Sequence, residues 1–308
     1  MCPRNSLVSG RVLLSAIWLA SVASAQTGWW RTFGGPNADG SSSVQQTSDG
    51  GYIIAGWTDS FGPGTPDSSN VYLIKTDAAG DTLWTRTYGG TGDDYANSVR
   101  QTSDGGYIVA GSTSSFNAGK GDVYLIKTNA VGDTLWTRTY GGTDLDQGMS
   151  VHQTPDSGYI VAGYSYPYAG ANSDFYLVKT SASGDTVWTR TYGGTGNDWG
   201  YSAQPTRDGG YLVAGCTYSY GAGDADFYLV KTDGSGDTLW TRTYGGVDYD
   251  DAWSAQQTAD GGYIITGYTY SFGVAHDAVY LEFRGHITYT NRKRVKAVSA
   301  TPRSRPPI

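Results

Sequence analysis

The 308-residue sequence contains almost no glutamate, only two cysteines and only three histidines. Of its 28 acidic residues only Glu282 is a glutamate. Because glutamate favours helix interiors and aspartate favours turns, this bias indicates strands and tight turns. The three histidines stand at unrelated points of the chain and give no metal cluster or catalytic triad: His152, His276 and His286.

Long apolar runs are also missing, apart from residues 12–22 near the N-terminus. This run follows Arg4 and Arg11 and precedes Ala23-Ser24-Ala25, which is the pattern of a signal peptide cleaved near Ala25–Gln26. A membrane span is the alternative, but the run is too short for one. We therefore expect residues 1–25 to be removed and the mature protein to be secreted or held at the cell surface, with no membrane span.

Export leaves Cys216 as the only thiol, so no internal disulfide is expected and packing alone must hold the fold together. The residue occupies a repeat column shared with Ser112 and Tyr164. We expect a small buried side chain there rather than a reactive thiol.

Positive charge is scarce in the body of the chain. Residues 26–281 carry 12 Lys and Arg against 27 Asp, a net charge of −15, which argues against nucleic acid as a partner. The balance reverses in residues 282–308, where seven Lys and Arg accompany Glu282. We expect this basic, proline-containing tail to be solvated and without packed structure. A basic interaction tail and a frame-shifted end are the alternatives left open.

The chain is rich in Gly and Tyr, with 45 and 25 residues, and it repeats itself. The stretch GDTLWTRTYGG at 80–90 recurs at 132–142 and 236–246, and at 184–194 with Val187 in place of Leu. We place its tryptophan at intervals of 54, 52, 52 and 52 residues: Trp30, Trp84, Trp136, Trp188 and Trp240. A fixed period near 52 is typical of a repeat architecture.

Each period predicts four short strands, in the second repeat near 96–102, 107–113, 122–128 and 134–140. The Asp-Gly pair at 104–105 predicts the first hairpin turn. Four strands per period predict an all-β protein, a β-propeller whose repeat domain covers residues 26–281. We expect Trp136 and its equivalents to fill the gaps between blades.

Residues 29–33 (WWRTF) precede the first full set of strands, and the last set, ending near Leu281, lacks a fourth strand. We therefore predict five four-stranded blades, closed into a ring when the N-terminal strand completes the C-terminal blade. Closure would hide the sheet edges that an open array exposes.

The stretch YGGTGDDYANSVRQTSDGGYIVAGSTSS resembles the bacterial seven-bladed β-propeller (SBBP) repeat, with Gly-Gly, Asp, a strand, Asp-Gly and a strand ending Gly-x-Thr-x-Ser. Kelch repeats are similar in combining Gly-Gly, Tyr and Trp. The resemblance covers nearly all of residues 30–281. It implies a secreted or surface propeller with no catalytic motif. This chain departs from the pattern in having five repeats, so the resemblance leaves the number of blades open.

The longer loops, which join strands two and three and join one blade to the next, belong on one face of a propeller. An aspartate recurs there four places after Gly-Gly: Asp39, Asp94, Asp146, Asp198 and Asp250. Each is interpreted as bonding nearby backbone, with a Ca²⁺ ligand as the alternative and no cofactor otherwise expected.

An aromatic residue also recurs in the loop after strand two: Phe61, Phe116, Tyr168, Tyr220 and Phe272. Such rings either cap the blade or stack on sugars. Together these residues predict a monomeric, non-enzymatic binding module for a protein or carbohydrate. The alternative is an extracellular carbohydrate-active enzyme on the same scaffold, although no carboxyl pair is singled out for glycoside hydrolysis.

Overall fold

The computed structural model describes residues 30–116, 119–167, 171–271 and 277–283, the last segment by its backbone alone. This part of the chain forms nineteen β-strands and no helix, so the predicted all-β class is confirmed. The strands are β1 (Asp39–Gln46), β2 (Tyr52–Thr58), β3 (Asn70–Thr76), β4 (Thr82–Tyr88), β5 (Asp94–Gln101), β6 (Tyr107–Thr113), β7 (Asp122–Thr128), β8 (Thr134–Tyr140), β9 (Asp146–Gln153), β10 (Tyr159–Ser165), β11 (Asp174–Thr180), β12 (Thr186–Tyr192), β13 (Asp198–Pro205), β14 (Tyr211–Thr217), β15 (Asp226–Thr232), β16 (Thr238–Tyr244), β17 (Asp250–Gln257), β18 (Tyr263–Thr269) and β19 (Asp277–Phe283).

These strands form antiparallel meanders that follow the chain. Sheets one to four each contain four strands, β1–β4, β5–β8, β9–β12 and β13–β16, and sheet five contains β17–β19. The first strand of each sheet contacts the first strand of the next, so these inner strands lie side by side. The predicted period of about 52 residues therefore corresponds to one sheet.

The tight turn between the first two strands of a sheet follows from its Asp-Gly sequence. In sheet two the Gly105 N–H donates to the Thr102 carbonyl at 2.9 Å, and the Asp104 carboxylate accepts the Gly106 N–H at 3.0 Å. Gly105 has a φ of 81°, a conformation that favours glycine. In sheet three Ser157 takes this place with a φ of 65°, so the DSGY variant keeps the turn with a less suited residue.

Apolar side chains between neighbouring sheets form the core. Val99 of β5 and Val151 of β9 are fully buried there, and Ala203 and Ala255 stand at the same position in sheets four and five. Val44 is the equivalent residue of β1, and 62% of its surface is exposed. The inner strand of sheet one is therefore uncovered on this face.

The repeated tryptophans lie at the outer edge of the contact between sheets. Trp136 is partly buried, meets Tyr159 of the next sheet edge-on at 5.8 Å, and carries the Arg138 guanidinium over its ring at 5.6 Å. Trp84, Trp188 and Trp240 repeat this arrangement. Trp136 therefore packs in the gap between sheets as expected, but it is only partly buried, and the more deeply buried ring there is Tyr159, which is 2% exposed.

The assignment of Trp30 to the tryptophan column was wrong. Arg31 pairs with Asp81 at 2.9 Å, as Arg86 pairs with Asp133 at 3.6 Å. Arg31 is therefore the equivalent of Arg86, and the residue two places earlier is number 29, outside the described residues. Trp30 is 82% exposed.

The predicted fourth strand for the last sheet is not seen in the described residues. Residues 30–38 form no strand, and sheet five contains three strands as described. β19 continues to Phe283, so it extends two residues beyond the predicted end of the repeat domain. The predicted signal peptide and residues 284–308 of the tail lie outside the described residues.

A buried tyrosine hydroxyl links each of three outer strands to the next sheet. The Tyr140 hydroxyl donates to the Gly184 carbonyl at 2.6 Å, in the turn that precedes the outer strand of sheet three. Tyr88 and Gly132, and Tyr192 and Gly236, form the same bond at 2.6 Å. Phe33, two residues after Arg31, stands where these strands have the tyrosine and has no hydroxyl to donate.

Four lysines of the third strands are buried, which the sequence did not indicate. Lys127 is 4% exposed, donates to the Thr128 carbonyl at 2.8 Å and pairs with Asp104 at 2.9 Å. The same pair recurs in sheets one, three and four: Lys75 with Asp49, Lys179 with Asp156, and Lys231 with Asp208.

Burial alone would raise the pKa of Asp104, but hydrogen bonds from Thr102 and Lys127 outweigh it and lower the pKa to about 2. Sheet five has Glu282 at the position of these lysines, because Glu282 pairs in register with Ile264 as Lys127 pairs with Ile108.

Candidate functional site

The candidate site is the end of the array that carries the loops between strands two and three and the links between sheets, which we call the loop face. Antiparallel pairing places both kinds of connection at this end and the tight turns at the other. Eight of the ten predicted site residues lie in the described residues. Tyr168 and Phe272 lie outside them.

The three described loop rings are half-exposed, and each is supported from behind by a tyrosine. Phe61, Phe116 and Tyr220 are 40%, 51% and 45% exposed. They tilt against the tyrosine of their own third strand at 5.7, 5.7 and 5.4 Å: Tyr72, Tyr124 and Tyr228. One face of each ring therefore caps the sheet and part of the ring remains open to solvent.

The predicted aspartates begin the inner strands and fix the links between sheets. Asp94 is fully buried, accepts the Gly90 N–H at 2.8 Å and the Ser115 hydroxyl at 2.6 Å, and also accepts the Thr113 hydroxyl. The bond to a glycine N–H of the link recurs at 2.7–2.9 Å in Asp39, Asp146, Asp198 and Asp250. The predicted bond to nearby backbone is therefore present, and a contact of these carboxylates with a ligand stays a prediction.

A second acid, which the sequence analysis did not single out, approaches the same links from the third strand of the preceding sheet. Asp122 Oδ1 and Asp146 Oδ2 lie 2.6 and 2.3 Å from the position that a Cβ atom would take at Gly141. Asp174 with Asp198, and Asp226 with Asp250, repeat the pair at Gly193 and Gly245, whereas sheet one has Asn70 beside Asp94. The recurring Asp at the start of DVYLIKT and DFYLVKT was the available sequence signal.

Burial and repulsion raise the pKa of these paired acids. Burial, and then the charge of Asp146, raises the pKa of Asp122, and burial also raises the pKa of Asp146. The pKa of Asp174 is raised by burial and by Asp198. The three links that contain a pair of acids therefore hold two carboxyl groups that disfavour simultaneous ionisation.

Additional rings lie on the loop face of sheets four and five. Tyr218, Tyr270 and Trp253 are 41%, 46% and 60% exposed, and Tyr249 contacts Tyr218 and Tyr270 at 6.2 Å. Trp253 was not among the predicted residues, because it stands in an inner strand rather than a loop.

Beneath these rings lies a buried polar group. Asp251 is 3% exposed and accepts hydrogen bonds from Trp253 Nε1 at 2.9 Å and the Tyr249 hydroxyl at 3.3 Å. Cys216 is fully buried, as expected, and burial with the nearby Asp251 raises the pKa of its thiol. The high pKa keeps Cys216 a poor nucleophile.

Within the described ranges, no three His, Cys, Asp or Glu side chains converge in a way that could hold a metal ion. In the part of the chain that the structure describes, no helix is long and apolar enough to cross a membrane. What the loop face offers chemically is a set of half-exposed rings above buried carboxyl groups.

No family model matches the chain. Regulatory protein FlaEY of Caulobacter vibrioides is 27% identical over 186 residues, which are 52% of this chain and 19% of that protein. The match thus spans about a fifth of the relative's length.

A solved structure of a protein of unknown function from Bacteroides caccae aligns with a TM-score of 0.50 at 14% identity, over 80% of this chain and 79% of that one. With the repeated sheets, this likeness decides the architecture. The fold is propeller-like. Sqt1 from Chaetomium thermophilum aligns with a TM-score of 0.39 at 13% identity, over 80% of this chain and 72% of that chain. The sheets are called blades below.

Proposed function

We propose that this chain is a secreted or cell-surface propeller module that binds a carbohydrate or protein ligand at its loop face and catalyses no reaction. The supporting observation is the repeated half-exposed ring, Phe61, Phe116 and Tyr220, held on a rigid scaffold of buried tyrosines. A ring fixed from behind loses little freedom when a ligand stacks on its open face. The Gly-Gly, Asp-Gly and Gly-x-Thr-x-Ser pattern supports membership of the SBBP repeat family as part of this proposal.

A glycan array and a protein-capture screen with the mature chain test binding, and a hydrolysis screen on the same sugars tests catalysis. We expect at least one ligand and no turnover. Hydrolysis of any glycan would replace the proposal with the carbohydrate-active enzyme.

The loop rings are tested by changing Phe61, Phe116 and Tyr220 together to Ser. Binding should be lost, because the open ring faces form the contact. The matched control changes Leu83, Leu135 and Leu239 to Ser, since these are similarly exposed at 58%, 56% and 56% but begin the outer strands at the opposite end. Loss of binding in the control, or full binding in the ring variant, would contradict the assignment.

We further propose that the module is a five-bladed monomeric ring in which residues 29–33 supply the outer strand of the last blade. Three observations support closure. Arg31 contacts Asp81, as the arginines of the other outer strands contact the next blade. Sheet five contains three strands in the described residues, one fewer than the other sheets. Val44 is exposed at a position where the equivalent residue of the other blades is covered by a neighbouring blade.

Val44→Ala tests the closed ring, with Val99→Ala as reference. Val99 is fully buried, and removing two of its carbons should cost about 2 kcal/mol. A closed ring predicts a similar cost at Val44 and a monomer by light scattering. A cost below about 0.5 kcal/mol at Val44 would show that the blade is uncovered and would refute closure.

A further inference from the structure

The junction between blades two and three contains two buried carboxylates whose oxygens are incompletely satisfied. Asp122 and Asp146 are 6% and 0% exposed. Asp122 Oδ1 and Asp146 Oδ1 are both buried without a hydrogen-bond partner. Leaving such acceptors unpaired is costly, and the cost is greater when they are charged.

The two side chains meet beside Gly141. Asp122 Oδ1 and Asp146 Oδ2 approach the same point beside Gly141, so they are at most about 4.9 Å apart. Lys120, two residues before Asp122, is engaged by Asp144 at 2.6 Å. The lysines of the third strands pair with aspartates of the tight turns at the opposite end. The pair therefore has a charge that these lysines do not neutralise.

We propose that Asp122 and Asp146 bind a hard divalent cation of the calcium type, which bridges blades two and three. Carboxylate oxygens are the ligands that Ca²⁺ prefers, and a cation held by both carboxylates would satisfy the orphan Asp122 Oδ1 and offset the repulsion between the two acids. Main-chain carbonyls and water would complete its coordination. This site is independent of the proposed ligand contact, because its acids are buried and the loop rings are exposed.

The repeat shows which junctions share the site. Asp174 stands beside Asp198, whose Oδ1 is also buried without a partner, so blades three and four form a second site. At the next junction Asp226 accepts the Ala222 N–H at 2.8 Å and Asp250 accepts the Thr269 hydroxyl, so those carboxylates are better satisfied. At the first junction Asn70 replaces one acid.

Calorimetric titration of the metal-stripped mature protein with CaCl₂ tests the proposal. We expect two sites and a rise in Tm of about 10 °C, about 5 °C for each site, when Ca²⁺ is 100-fold above Kd. Asp122→Asn should remove one site, while the matched control Asp226→Asn should keep both. Asn70→Asp should create an additional site, because it completes a pair beside Asp94.

Folding of the variants is checked separately by circular dichroism in EDTA. Asp122→Asn removes a like charge, so it should be at least as stable as the parent without metal. Absence of Ca²⁺ binding by the parent, or unchanged stoichiometry in Asp122→Asn, would overturn the proposal. A stability that follows pH but not Ca²⁺ would also overturn it, because the pair would then share a proton instead of a cation.

Discussion

The hydroxyl of Tyr140 provides a sharp test of how the blades are joined. Tyr140→Phe removes only the oxygen that donates to the Gly184 carbonyl at 2.6 Å. Tyr140 is 8% exposed, so water does not readily replace the donor. A lost hydrogen bond costs about 0.5–1.5 kcal/mol, and a buried carbonyl left unpaired costs more. We therefore expect a loss of about 1.5 kcal/mol in the free energy of unfolding, or roughly 3–5 °C in Tm.

Urea unfolding of the single variants and of the triple variant, Tyr88→Phe with Tyr140→Phe and Tyr192→Phe, measures this loss. The three bonds join different pairs of blades and should add to about 4.5 kcal/mol. A triple variant within 0.5 kcal/mol of the parent would show that these hydroxyls do not hold the blades together, and the reasoning would fail.

The N-terminal segment offers the reverse experiment. Phe33 stands at the tyrosine position, so Phe33→Tyr should add the missing bond to the next blade and raise stability by about 0.5–1.5 kcal/mol. No gain would indicate that residues 31–33 do not lie as the other outer strands do.

The same bonds predict an alkaline dependence. Burial raises the pKa of Tyr140 above its ordinary value of 10.0, so ionisation is harder in the folded protein than in the unfolded chain. The stability that the Tyr140 hydroxyl contributes to the fold is complete below pH 10 and declines as the pH rises through the pKa of the folded protein. The stability difference between parent and triple variant should therefore shrink above pH 10.

Further outcomes follow from other repeated contacts. Trp136→Ala should cost about 2 kcal/mol and Tyr159→Ala about 4 kcal/mol, because the tryptophan is only partly buried; equal costs in denaturant titrations would contradict this order. The pKa of Asp49, Asp104 and Asp156 is lowered to about 2 from 3.8. The stability that these carboxylates contribute to the fold is therefore present above pH 3.8 and lost between pH 3.8 and 2. Asp104→Asn should flatten that acid transition, and an unchanged pH profile would exclude the pair as its source. Cys216 should react with a thiol reagent only after unfolding, and rapid labelling of the native protein would disprove its burial.

Local features of the fold were predictable because a few adjacent residues determine them. The Asp104-Gly105 turn needs only a residue that tolerates positive φ and a carboxylate one place before it. The period was equally clear from the repeated strand. The tryptophan column was misplaced by one residue because two tryptophans stand together at 29–30. The match of RTFGG at 31–35 to RTYGG at 86–90 fixes the register, and the pairing of Arg31 with Asp81 agrees with it.

Features that depend on residues far apart in the sequence were not predictable from one strand. Lys127 looks like a surface residue in DVYLIKT, and its burial depends on Asp104, which reaches it from the turn between the first two strands of the same sheet. Asp122 and Asp146 are 24 positions apart and become neighbours only when the Gly-Gly link folds back. The three described loop rings follow the second strand of their sheets as predicted, but the contact that caps the sheet required the position of Tyr124.

The near-identity of the outer strands has a consequence for how the protein acquires its structure. β4, β8 and β16 share the sequence TLWTRTY, so each could pair with the third strand of another blade with almost the same energy. Only the short turn that ties each outer strand to its own third strand makes the native partner the first one encountered. Between molecules this kinetic advantage disappears, and at high concentration refolding chains should exchange outer strands and form swapped oligomers. Synthesis from the N-terminus, which completes one blade before the next emerges, avoids that competition.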